Sequence, residues 1–234
     1  MLTLALDTST YVGTVSVTRG GELLCESSAF VRASHGETLL PHVERALLLA
    51  GVSLADVELF AVGIGPGSFT GVRIGCGVAQ GLALGADLPV VGIPTLEALA
   101  QEVLRARGWR HVFACLDARM REVYVASYVR VDDAWRESSA PAVMAPADIR
   151  REPSPAPPDW FGAGNGFAAY PALAAQLLLA DTALDAHPTA RSIGELALPR
   201  FAAGEGVAAV DAVPVYVRER VALTVAEQAQ GVRL

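Results

Sequence analysis

Three stretches of this 234-residue chain place reactive residue types at spacings that could do chemistry. The first is Asp7-Thr8-Ser9-Thr10, a carboxylate and three hydroxyls that follow the apolar run Leu2 to Leu6. The second, Gly63 to Gly71, is a glycine-rich turn that opens a helix. Free N–H groups at a helix N-terminus favour an anion whatever the motif. The third is Asp117, which closes the apolar run that starts at Val112 and precedes Arg119, Arg121 and Glu122. Two strand-end carboxylates could hold a hydrated cation. They could equally accept N–H groups from their own turns.

Each familiar catalytic pattern fails on an identifiable residue. A P-loop ends in Gly-Lys-Ser/Thr, and all 18 basic residues of this chain are arginine. A dinucleotide fingerprint needs a third glycine where Thr70 stands, counted from Gly65, or Ser68, counted from Gly63. Ser68 is no elbow nucleophile, because Pro66 occupies the position of the first glycine; a helix cap or an anion contact suits it better. Arg73 could reach an anion there or an acid on a partner. His35 and His42 lie seven apart and His111 and His187 have no carboxylate motif beside them, so no metal pair is expected. Cys25, Cys76 and Cys115 form no Cys-x-x-Cys pair, which fits a reduced, zinc-free protein. The expectation is no catalytic residue, no metal and no cofactor.

The elements that position these residues follow from periodicity. Leu59 to Val62 reads as a buried strand, Gly63 to Gly67 as a turn, and Thr70 to Leu84 as a helix capped by Ser68 or Thr70. Each glycine inside a helix costs roughly 1 kcal/mol against alanine. Gly71-Gly75-Ala79 and Gly77-Gly81-Gly85 recur every fourth residue, so two smooth rows run along this helix, one expected inward and one outward. Before it come a strand to Asp7, a hairpin over Val12–Val17 and Leu23–Phe30, and a helix from Glu37 to Ala50 with a wide apolar stripe. After it come a strand at Leu88–Ile93 and a helix capped by Thr95 to about Arg107. The pattern then repeats: Val112–Asp117, Glu122–Val131 and Ala134–Met144 as strands, and a proline-rich linker, Glu152 to Pro158. A glycine turn from Trp160 to Phe167 echoes the first, ahead of apolar helices at Tyr170–Ala180 and Ser192–Ala203. The order predicts a duplicated α/β protein with domains at 1–108 and 109–234, a late helix packing back on the first.

Composition bounds the partners. The chain is 52% hydrophobic with mean hydropathy +0.38, yet it holds no long uninterrupted apolar run, so no membrane span is expected. The N-terminus lacks a secretory pattern, which predicts a cytoplasmic protein. A net charge of −7 with scattered arginines predicts weak nucleic-acid binding by the chain alone. Excess apolar content points to protein partners instead.

In DTST at 7–10, GIGPGSFTGVRIG at 63–75, AQGLALG at 79–85, DARMREVY at 117–124 and PVYVR at 214–218, the chain resembles the TsaB (YeaZ) family. The match covers nearly the whole chain except the 152–158 linker and the tail after Arg218. The resemblance implies duplicated actin-like ATPase (RNase H-like) domains, each a mixed five-stranded sheet with helices, as in Hsp70 and sugar kinases. It implies a non-catalytic partner and activator of a TsaD-type threonylcarbamoyltransferase, which makes threonylcarbamoyladenosine in tRNAs that read codons beginning with A. A TsaE-like ATPase and tRNA would join through the complex, and the chain alone would be a homodimer. Asp7, Thr8, Ser9, Asp117, Gly162, Gly164 and Gly166 would mark a vestigial nucleotide cleft. Leu39, Leu40, Val43 and Leu47 on one helix, and Gly71, Ile74, Gly75, Val78, Gly81 and Leu82 on the next, would form the partner interface. The alternative is a stand-alone ATP-dependent small-molecule kinase or peptidase of the same superfamily.

Overall fold

The computed structural model describes residues 1–30, 35–151 and 159–218, so the 152–158 linker and the tail after Arg218 lie outside the described residues. Two five-stranded sheets share one strand order. In the first, β1 (Leu2–Asp7), β2 (Val12–Arg19) and β3 (Glu22–Phe30) form an antiparallel meander. β4 (Leu59–Gly63) pairs parallel with β1, and β5 (Val90–Ile93) with β4, giving β3-β2-β1-β4-β5. The second sheet repeats this with β6 (His111–Asp117), β7 (Val123–Val131), β8 (Ala134–Met144), β9 (Phe161–Ala163) and β10 (Asp181–Ala183). β1 and β4 are buried end to end, and mostly apolar, because helices cover both faces of the sheet.

The covering helices are shared across the two halves. α1 (His35–Ala50) and α2 (Phe69–Ala86) pack Leu39, Val43, Cys76 and Ala79 onto Leu4, Leu6, Phe60 and Val62 of the first sheet. The opposite face, with Ala5, Ala61, Val91 and Ile93, is covered by α6 (Ala190–Ala202) from late in the chain. α3 (Thr95–Arg107), from the first half, lies instead on the second sheet, where Leu96, Leu99 and Val103 meet Val112, Ala114 and Tyr128. The junction at 108–109 therefore separates the two sheets while their covering helices cross it.

Three local expectations change. α1 begins at His35 rather than Glu37. Thr95 does not cap α3; Pro94 is the N-cap, and the Thr95 hydroxyl accepts the Gly65 N–H at 3.0 Å. The apolar run Tyr170–Ala180 is no single helix. α4 (Gly166–Ala169) and α5 (Ala172–Gln176) are separated at Pro171, and Leu178 turns at φ 53° so that the chain can return as β10 beside β9. A short apolar run carries too little periodicity to forbid that break. Among the described residues, no helix is long and apolar enough to cross a membrane.

Candidate functional site

A cleft of about 550 Å³ opens between the turn after β1, the start of α2 and the turn after β6. Ser9, Thr10 and Ser68 line one wall, and Asp117, Arg119 and Asn165 the other. Asp7 lies beneath this cleft and not in it. Its side chain is 0% exposed: the Ser9 N–H and hydroxyl donate to Oδ1 at 3.0 and 2.8 Å, while Oδ2 faces Gly63 and has no hydrogen-bond partner among the described residues. Burial pushes the Asp7 carboxyl up to about 7, against the opposing pull of the Ser9 hydrogen bonds. Thr8 is equally enclosed, its hydroxyl donating to the Gly71 carbonyl at 2.7 Å. Of the first Asp-Thr-Ser stretch only Ser9 touches the cleft, and its carbonyl accepts the Ser68 N–H at 2.7 Å.

Asp117 does line the cleft, and it works as a turn acceptor. The Arg119 N–H donates to its Oδ1 at 3.0 Å, and its own N–H donates to Asn165 Oδ1 at 3.0 Å. Gly162, Gly164 and Gly166 are packing positions. Gly162 lies against Phe167 and Leu179, and the other two press on Cys115, where a side chain would collide with the strand. The cleft residue of that turn is Asn165, which sequence reading passed over; its signal was the one polar side chain between two glycines. Among the described residues, no group of three His, Cys, Asp or Glu side chains could hold a metal ion.

The cleft's remaining wall is the start of α2. Ser68 is the N-cap and accepts the Gly71 N–H at 3.3 Å. The two glycine rows face opposite ways. A Cβ on Gly75 would stand 2.5 Å from the Thr8 hydroxyl, whereas no described residue lies within 4 Å of one on Gly77, Gly81 or Gly85. The residues expected at a partner interface divide in the same manner. Leu39, Val43, Leu47, Gly71 and Gly75 are buried in this chain's own core, which removes them from any surface. Ile74, Val78 and Leu82 are half-buried against that core, while Leu40 and Gly81 are exposed. Leu48 and Leu84 are more exposed still, at 79% and 67%. Arg73 is engaged within the chain: its Nε donates to the Tyr216 hydroxyl at 2.7 Å and its guanidinium lies 3.5 Å over the Phe69 ring.

Comparison with known proteins places these features. The family model described as TsaD, tRNA N6-adenosine threonylcarbamoyltransferase, matches residues 29–224. The chain is 40% identical to the tRNA threonylcarbamoyladenosine biosynthesis protein TsaB of Escherichia coli, over 95% of this chain and 96% of that one. It is 36% identical to TsaB of Haemophilus influenzae, over 93% and 94% of the two chains. Among solved structures, YeaZ from Pseudomonas aeruginosa aligns with a TM-score of 0.83 at 38% identity, covering 92% of this chain and 99% of that one. A second Pseudomonas aeruginosa structure, of a protein with similarity to peptidase YeaZ, aligns at 0.86 and 39% identity, over 93% and 99%.

Proposed function

The chain belongs to the TsaB family of tRNA threonylcarbamoyladenosine biosynthesis proteins, and from that membership we propose that it is a non-catalytic partner of a TsaD-type threonylcarbamoyltransferase. One observation carries the reading. Among the described residues, Gly77, Gly81 and Gly85 have open space where side chains would stand, so no described neighbour requires them to be glycine. Three such residues in one helix cost roughly 1 kcal/mol each in the isolated chain. A partner helix that approaches until the backbones nearly touch gives them a use, with Leu40, Ile74, Val78, Leu82 and Leu84 supplying apolar contact beside the row. The same face would pair two copies of this chain in the partner's absence. A TsaE-like ATPase and tRNA would join through the transferase.

The kinase alternative would use Asp7 as a cleft carboxylate, and the Asp7 side chain is fully buried against Gly63 of β4. Reconstitution tests the partner reading. Wild-type chain should bind a TsaD-type subunit and support threonylcarbamoyladenosine formation on tRNA once a TsaE-type ATPase is present. Gly81→Leu should fold normally and lose both. A folded Gly81→Leu protein that binds and supports modification like wild type would remove the basis of the proposal.

A further inference from the structure

The motif Pro214-Val215-Tyr216-Val217-Arg218 is not absorbed by the partner face, and its contacts reach both halves of the molecule. After α6 the chain returns to the first sheet, where Val207 bridges Val90 and the Gln80 side chain donates to the Val210 carbonyl. The Val215 N–H then donates to the Ile64 carbonyl at 2.8 Å, fixing this segment to the turn ahead of α2. Tyr216 follows, its hydroxyl accepting from Arg73, whose guanidinium lies between the Phe69 and Tyr216 rings, 3.5 and 5.2 Å from their centroids.

Two residues later the chain grips the other side. The Arg218 guanidinium donates to Glu122 at 2.6 Å and to the Ala118 carbonyl at 3.0 Å, and it touches the Met120 sulfur. Its side chain is only 11% exposed. The turn that it holds is strained: Arg119, Met120 and Arg121 have φ of 61°, 52° and 62° in succession. Left-handed backbone is unfavourable for each residue with a Cβ. Such a turn persists where surrounding contacts over-determine it, and Arg218 supplies three of them from a distant part of the chain.

We propose that residues 215–218 are a clasp, which holds the two halves together beside the cleft that Arg218 lines and couples the start of α2 to the strained turn after β6. Opening one end frees the other, because four consecutive residues carry both attachments. The device belongs to the isolated chain and stands whether or not the partner reading holds.

Hydrogen exchange on the full chain tests the coupling. Arg218→Ala should speed amide exchange at 118–122 and also at 68–73, each about tenfold, as loss of a charged hydrogen bond predicts. Tyr216→Ala, which breaks the opposite end, should produce the same two-site change. Arg218→Lys, which keeps a charge beside Glu122, should restore part of the protection at both sites. Exchange that rises only where each variant lost its own contact would overturn the proposal. If Arg218→Ala does not fold, Glu122→Gln weakens the same grip and is read at 68–73 in the same way.

Discussion

The Thr8 hydroxyl donates to the Gly71 carbonyl at 2.7 Å, and the side chain that Gly71 lacks would overlap the Thr8 carbonyl oxygen. The end of β1 and the first turn of α2 thus meet backbone to backbone. Gly71→Ala should destabilise the protein by about 2 kcal/mol, since overpacking against the Thr8 main chain has no rotamer through which to relax, and Gly75→Ala should cost less, about 1 kcal/mol, because it meets the Thr8 hydroxyl, which can turn away at the loss of its bond to the Gly71 carbonyl. Gly81→Ala, in open space, should instead gain up to about 1 kcal/mol in helix propensity. Urea melts of the three variants decide this. Equal stabilities would mean that the two rows do not differ in packing.

Asp7 should make stability fall as the solution becomes less acidic. Between about pH 4 and pH 7 the unfolded chain has released this proton while the folded chain, with its carboxyl near 7, still holds it. Unfolding then releases a proton, so stability is lost as pH rises through that window and levels off above it. Asp7→Asn removes the dependence and keeps an acceptor for Ser9. Its stability relative to wild type should be greater at pH 8 than at pH 4.5, and a difference that stays flat across this range would show that Asp7 does not titrate abnormally.

A second buried carboxylate has a partner. Arg200 of α6 reaches Glu97 of α3 at 2.6 Å, with Glu97 only 9% exposed in its side chain. Burial raises the Glu97 pKa, and the guanidinium offsets that only in part. Arg200→Ala leaves the carboxylate buried alone and should cost about 3 kcal/mol near pH 8. The cost should shrink toward pH 5 as Glu97 takes up a proton in the folded state. Thermal melts at the two pH values check it, and a pH-independent loss would assign the effect to packing.

With a net charge of −7, the isolated chain should hold tRNA weakly and lose it as salt rises. Filter binding at low and physiological salt gives the slope. Sub-micromolar affinity at physiological salt would call for a basic surface that the sequence does not suggest.

The succession of strands and the long helices were legible because their signals are local: an apolar run that ends on Asp, a meander, and a glycine-rich turn before a helix. The same logic marked both glycine rows as opposed. The cleft was less legible. Asp7 and Asp117 look alike in sequence, each ending an apolar strand, yet Asp7 is fully buried at the end of β1, a strand that α6, arriving from late in the chain, helps to cover. Nothing near residue 7 encodes that cover. Leu39, Val43 and Leu47 failed as surface residues for a related reason. A wide apolar stripe says that a helix is buried on two sides, not which side belongs to the chain itself. Arg218 was visible only as the last letter of a motif, its grip on Glu122 lying 96 positions away.

The exchange of helices α3 and α6 between the sheets bears on how the protein can be divided. A gene split between Gly108 and Trp109 would encode two fragments, each with a complete five-stranded sheet and each carrying the helix that its counterpart needs. Neither fragment should be soluble by itself, because one sheet face would meet water. Expressed together they should reassemble without a covalent link, so the natural joint of this sequence makes a poor domain boundary and a good site for a split protein.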